Sequence, residues 1–155
     1  MAASQGKGLS SPSFRAVGMR QTPQREAILR VLAQSEKPLS VEEIWGRMAE
    51  NRSGLPTIYR NLERFVREGW VENILGVDQT MRFVRCHSRV HHHHLQCEDC
   101  GRVVEVGACG IEAASGALEA QTGFRITRHQ LLFFGLCPEC RGSSVIDKTR
   151  HPATI

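Results

Sequence analysis

Two Cys-x-x-Cys pairs, Cys97-Glu98-Asp99-Cys100 and Cys137-Pro138-Glu139-Cys140, constrain this chain more than any other feature. Four thiolates in two such pairs are what a closed tetrahedral zinc site needs, so the segments around residues 98 and 138 must meet in the fold. The N-terminal stretch MAASQGKGLSSPS has no apolar export region, and no run of eighteen apolar residues occurs. The chain is therefore expected in a reducing cytoplasm with no membrane segment. Cysteines paired this way in that compartment are metal ligands rather than disulfides. The sequence predicts structural zinc on Cys97, Cys100, Cys137 and Cys140, and predicts that losing it unfolds the part of the chain it closes.

Four consecutive histidines, His91–His94, abut the first pair. If they are extended, alternate side chains point to opposite faces. His91 and His93 then face one way, His92 and His94 the other, and one run can feed two metal sites. Cys86 precedes His92 by six residues and His94 by eight, an even offset that can share their face. One thiolate with two imidazoles suits zinc better than iron(II). On the opposite face, His129 is the candidate partner, on a strand that includes Ile126 and Thr127. Glu112, at the start of a helix, is its candidate carboxylate. Cys109 reads as a small buried hydrophobe, and His87 and His151 have no clear role.

Upstream of Cys86 the pattern is that of a small helical domain. Thr22-Pro23 opens a first helix, with Ala27, Ile28, Val31 and Leu32 at helical spacing. Ser40 opens a second, with Glu43 completing a capping box and Ile44, Trp45 and Met48 as its buried stripe. Pro56 starts a third, PTIYRNLERFVREG, with Ile58, Leu62, Phe65 and Val66 inward and Gly69 closing it. Trp70–Leu75 and Met81–Arg85 flank a turn-rich loop and predict a β-hairpin. A helix-turn-helix followed by a hairpin is a winged helix. Thr57, Tyr59, Arg60, Asn61 and Arg64 lie off the apolar stripe, mostly at the N-terminal end that a recognition helix presents to base edges. Arg20 and Arg25 flank the first helix and suit phosphate or minor-groove contacts. Residues 1–85 carry 13 Lys and Arg against 9 Asp and Glu, while residues 86–155 carry 7 of each, so the net charge of +4 lies in the first half. That is a mild footprint for double-stranded DNA. Downstream, Arg102–Val106 reads as strand, 111–121 as helix and Phe124–Leu136 as a long strand, a β-α-β unit pinned by zinc.

Several of these pieces together resemble the ferric uptake regulator (Fur) family of bacterial metal-responsive repressors, over about residues 14–141. They are the Thr22-Pro23-Gln24-Arg25 start, TIYRNL in the third helix, HHHHLQCEDCGRVVEV, and GFRITRHQLLFFGLCPEC. The resemblance implies a homodimer with an α+β fold, an N-terminal winged helix and a C-terminal α/β dimerisation domain. It implies structural zinc on the four paired cysteines and a site on His91, His93, Glu112 and His129. It also implies a hinge site that includes His92 and His94, and DNA contacts at Tyr59 and Arg60. Iron and peroxide sensors of this family place a histidine just before the second helix, where this chain has Pro38. They also supply a carboxylate near Arg85-Cys86, where it has none. The zinc uptake regulator (Zur) subfamily looks closer, with a cysteine at the position of Cys86 and a wing acid that maps onto Glu72. The resemblance thus implies a hinge of Glu72, Cys86, His92 and His94, while Glu105 occupies a position that iron-type members use as a ligand.

The expectation is a zinc-sensing repressor that binds palindromic operator DNA of metal-uptake genes and is not an enzyme. Its domains would be a flexible tail at 1–13, a winged helix at 14–86, a metal-binding dimerisation domain at 87–141 and a tail at 142–155. The alternative within the family is an iron(II)- or peroxide-responsive repressor, with iron(II) or manganese(II) at the regulatory site. A zinc hydrolase would leave the winged helix unexplained. A zinc buffer would bind no DNA at any metal level.

Overall fold

In the computed structural model, residues 12–48, 53–88, 90–107 and 109–143 are described. Apart from Pro12, Ser13, Gly142 and Ser143, the tails expected at 1–13 and 142–155 lie outside them, as does His151.

The first helix, α1 (Pro23–Ala33), begins where the sequence signals it: Thr22 is extended, Pro23 is the first helical residue, and Thr22 Oγ1 accepts from Arg25 N. Ser40 caps α2 (Val41–Arg47) in a full capping box with Glu43, which satisfies two otherwise orphaned N–H groups at once. Trp45 departs from the expected buried stripe. It is 38% exposed, and its indole N–H donates to the Ser53 carbonyl at 3.1 Å. The buried face of the helix runs through Val41, Ile44 and Met48, and Trp45, a helical step round from Ile44, falls outside it. The third helix, α3 (Leu55–Arg67), buries Ile58, Leu62 and Phe65. Phe65, Trp70 and Phe14 form an aromatic cluster with centroid distances of 5.2–6.3 Å.

The wing is an antiparallel pair, β1 (Val71–Leu75) with β2 (Met81–Arg85). Leu39 and Phe83 exchange backbone hydrogen bonds of 3.0 and 2.8 Å, so the residues before α2 add a short third rung. At the hairpin tip the Asp78 and Arg82 side chains pack over Gly76, where a Cβ would lie 2.6 Å from Asp78 Oδ1 and 2.7 Å from Arg82 Cδ, so a larger residue would make them shift. Arg82 reaches Asp78 at 2.7 Å and Glu43 at 2.6 Å, tying the wing to α2.

The second half holds a three-stranded sheet in the order β4-β3-β5. Its strands are β3 (His93–Cys97), β4 (Val103–Val106) antiparallel to it, and β5 (Leu132–Gly135) parallel to it. Helix α4 (Glu112–Thr122) and the short α5 (Pro138–Ser143) complete it. The long strand expected over Phe124–Leu136 is only β5. Its partner β3 is short, so the ladder begins at Leu132 opposite His94, and residues 124–131 are free to follow another course.

The interiors of the two halves differ in kind. The first is a hydrocarbon core built from Ile28, Leu32, Leu39, Ile44, Ile58, Leu62 and Phe65. Beyond Cys86, the buried side chains among the described residues are His93, His94, Gln96 and Cys97. No residue of α4 is buried, and Leu118, Phe124, Phe133 and Phe134 are exposed. So little apolar burial cannot hold a unit this small without metal or a partner.

Candidate metal centres and nucleic-acid interface

Cys97 ends β3, Cys100 follows in the turn, and Gly101 takes a left-handed φ of 75° that reverses the chain into β4. Cys137 precedes α5 and Cys140 lies within it. The ligand atoms of Cys97, Cys100, Cys137 and Cys140 lie within 4.8 Å of one another, and none of these cysteines is in a disulfide. Cys100 and Cys137 Sγ are 3.8 Å apart. A tetrahedral ion with metal–sulfur bonds of about 2.3 Å has an edge of about 3.8 Å, so the residues fit one. The N–H of Cys137 points at Cys97 Sγ (3.4 Å) and that of Cys140 at Cys137 Sγ (3.5 Å). Burial pushes the Cys97 thiol up, but the N–H groups of Cys137, Cys100 and Asp99 outweigh it and bring it down to about 6. Cys140 is shifted upward, first by the neighbouring Cys137 thiol.

A second group joins the two halves. Glu72 lies on β1, Cys86 just past β2, His92 before β3 and His94 within it, with ligand atoms inside 4.8 Å. His94 Nδ1 is 3.1 Å from Glu72 Oε2, and His92 Nε2 is 4.0 Å from the same oxygen. His92 Nδ1 donates to the Val90 carbonyl at 2.8 Å, which leaves Nε2 as a lone pair aimed into the cluster. His92 Nε2 and both ring nitrogens of His94 are buried without a hydrogen-bond partner, close though Glu72 is to one of them. Buried imidazole nitrogens without hydrogen-bond partners, beside a carboxylate and a thiol, fit a bound cation. The His94 imidazole, against the upward push of burial, holds the Glu72 carboxyl below its usual range. Burial, then the charges of Glu72 and Glu105, push the Cys86 thiol up to about 12. Glu105 opposes His94 across the sheet and lies 3.7 Å from His92 Nε2, but its carboxylate accepts from the His87 N–H and stays outside the group of four.

The third group differs from the expected one. His91 Nε2 is 3.2 Å from His93 Nε2 and 2.9 Å from His129 Nε2, and the fourth neighbour is Cys109, whose Sγ is 3.2 Å from His129 Nε2. Cys109 is therefore not a buried hydrophobe. Glu112, the expected carboxylate, lies outside the group of four and instead lines an adjoining cavity with His91 and His129. Because α4 starts at Glu112, that side chain is carried on the helix, while Cys109 sits on the approach to it. His129 is not on a strand either; the irregular course of 124–131 carries it to His91 and His93. The sequence offered one signal for Cys109, as the odd thiol left after the two pairs and Cys86.

On α3, Tyr59 and Arg60 are exposed and Thr57 is half-buried beside them. Arg20 is exposed too. Asn61 does not join that face. It is 8% exposed, its amide donates to the Thr57 carbonyl at 2.8 Å, and its Oδ1 accepts from Arg25 Nε at 2.9 Å. Arg25 also donates to the Arg20 carbonyl. Asn61 thus braces α3 against α1, with its Oδ1 and amide nitrogen both engaged inside the protein.

The ferric uptake regulator family model matches residues 16–134. The chain belongs to the ferric uptake regulator family. The peroxide-responsive repressor PerR of Staphylococcus aureus is 33% identical over 135 residues, covering 85% of this chain and 89% of that protein. A zinc uptake regulator solved in complex with zinc and DNA superposes with a TM-score of 0.70 at 29% identity, covering 84% of this chain and 89% of that one. The Helicobacter pylori ferric uptake regulator, described with three functional metal-binding sites, superposes at 0.57 with 25% identity, covering 83% and 86%. The chain is accordingly a metal-responsive, DNA-binding transcriptional regulator with the winged-helix and dimerisation domains of that fold. No helix among the described residues is long and apolar enough to cross a membrane.

Proposed function

We propose that the protein is a zinc-sensing repressor whose sensing site is the group Glu72, Cys86, His92 and His94. The observation that carries this is the donor set itself: one thiol, two imidazoles and one carboxylate within 4.8 Å, with His92 Nε2 and His94 Nε2 buried and without a hydrogen-bond partner. Three nitrogen and sulfur donors with a single carboxylate favour zinc over the oxygen-rich environment that iron(II) and manganese(II) prefer. The likeness to the zinc- and DNA-bound regulator supports the same reading. A bound divalent cation supplies the positive charge that lets a Cys86 thiolate sit beside the Glu72 carboxylate. Glu72 and Cys86 move with the wing, His92 and His94 with the sheet. Holding one ion together, they fix the wing against the second domain, with the boundary near residues 86 and 87. Metal thus selects one orientation of the recognition helices from several.

The remaining assignments follow. The four paired cysteines would hold structural zinc, and His91, His93 and His129 a further ion with Cys109 in the place expected of Glu112. Arg20, Thr57, Tyr59 and Arg60 would meet DNA, with Arg25 steadied by Asn61. The exposed apolar side chains of α4 and β5 would be covered by a second copy in a homodimer, as an apolar surface of this kind requires. The test is a mobility shift on selected palindromic DNA with zinc, iron(II) and manganese(II) titrated separately. Retardation at the lowest zinc levels is expected. A response to iron(II) with none to zinc would replace this reading with the iron or peroxide one.

A further inference from the structure

Gln130 belongs to neither cluster and touches both neighbourhoods. Its side-chain N–H groups donate to Glu72 Oε1 at 3.0 Å and to the Asn73 carbonyl at 3.1 Å. Both acceptors lie on β1 of the wing, whereas Gln130 lies in the irregular segment before β5. Glu72 presents its other oxygen, Oε2, to His94 and His92. The residue before Gln130 is His129, which meets His91 and Cys109 in the third group. A cleft of about 640 Å³ runs between the two groups and is lined by Glu72, Cys86, His91, His92, His129 and Gln130.

We propose that Gln130 is a positioning residue that couples the two clusters. Its amide occupies Oε1 and so turns Oε2 of Glu72 toward the sensing site. Groups that hydrogen-bond a ligating carboxylate in this way raise its fitness as a ligand. Between the Ile126 N–H, which donates to Glu119, and the start of the β5 ladder at Leu132, His129 is the residue that ties this segment to the third group. When His129 is held by a metal ion shared with His91, His93 and Cys109, Gln130 is delivered to the wing. When His129 is loose, Glu72 loses its orienting partner. Filling one site therefore strengthens the other, and by linkage the effect is reciprocal. The histidine strand also joins the two sites directly, but His129 lies off that strand, which allows the two routes to be separated.

The proposal rests on the sensing-site reading and is tested by a four-member cycle of wild type, Gln130→Leu, His129→Ala and the double variant. Each full-length protein, with its cysteine quartet filled, is titrated with zinc against a competing chelator. Side-chain NMR signals of His92 and His94 report the sensing site. Gln130→Leu should weaken zinc there roughly tenfold or more. His129→Ala should weaken it in the wild-type background and have no further effect when Gln130 is leucine. Gln130→Glu, similar in size but repelled by Glu72, should weaken it at least as much as leucine does. Unchanged affinity in Gln130→Leu, or an equal effect of His129→Ala in both backgrounds, would overturn the coupling. Signals of His92 and His94 that ignore zinc in the wild type would instead overturn the sensing-site reading beneath it.

Discussion

Replacing Cys86 with serine isolates the one thiol of the sensing group. Zinc sites with four protein ligands have apparent binding free energies of about 10–16 kcal/mol near neutral pH. Shared evenly, each ligand accounts for about 3 kcal/mol, or roughly a hundredfold in affinity. Serine nearly preserves the volume at this buried position and leaves the hydrocarbon core of the first half untouched. Its hydroxyl does not ionise near neutral pH, so Glu72, His92 and His94 remain as the donor set. Zinc affinity measured by chelator competition should fall about a hundredfold, and the zinc level needed for half-maximal operator retardation should rise in step. Cys109→Ser, a thiol change in the other cluster, should produce a smaller loss that depends on Gln130. Wild-type zinc affinity in Cys86→Ser, with operator binding intact, would show that the sensing ion is held elsewhere.

Other outcomes follow from the same geometry. With its pKa raised to about 12, the Cys86 thiol is protonated at neutral pH, so each ion bound there displaces one proton. Affinity should therefore rise about tenfold per pH unit between pH 7 and 9, and Cys86→Ser should lower that slope by one proton, as calorimetry in buffers of different ionisation enthalpy can measure. Chelating the cysteine quartet, or Cys137→Ser, should unfold the second half and dissociate the proposed dimer while the winged helix keeps its helical circular dichroism. Asn61→Ala should cost about 1–3 kcal/mol in denaturant unfolding, because it strips partners from Arg25 and the Thr57 carbonyl. Arg60→Ala should leave stability unchanged, weaken operator binding and reduce its salt dependence by about one counterion.

Local chemistry was legible where it is decided locally. Thr22-Pro23 and the Ser40–Glu43 box start their helices because caps depend on residues a few positions apart. The odd–even division of His91–His94 follows from backbone geometry alone, and the side chains fall into the two groups it requires. What depended on distant packing was harder to read. Trp45 has the spacing of a core residue, but the buried face of α2 runs through Val41, Ile44 and Met48, and Trp45 lies one helical step round from it. Asn61 has the spacing of a base-reading residue, but Arg25, far away in sequence, claims its carbonyl. Phe124–Leu136 has strand composition throughout, yet a strand needs a partner, and β3 offers one only from Leu132 onward. That unpaired stretch carries His129 to His91 and brings Gln130 to the wing. No pattern in the sequence marks Gln130, since its role lies in which two acceptors it reaches.

The alternation along His91–His94 also limits how this chain can vary in length. Inserting or deleting one residue within β3 just after His94 would turn each imidazole to the opposite side, handing the ligands of one cluster to the other. Two residues restore the parity, though they shift the reach to Cys86 by about 7 Å. The two clusters are thus written on the same few peptide units in interleaved order. Neither can be shifted along the chain without shifting the other.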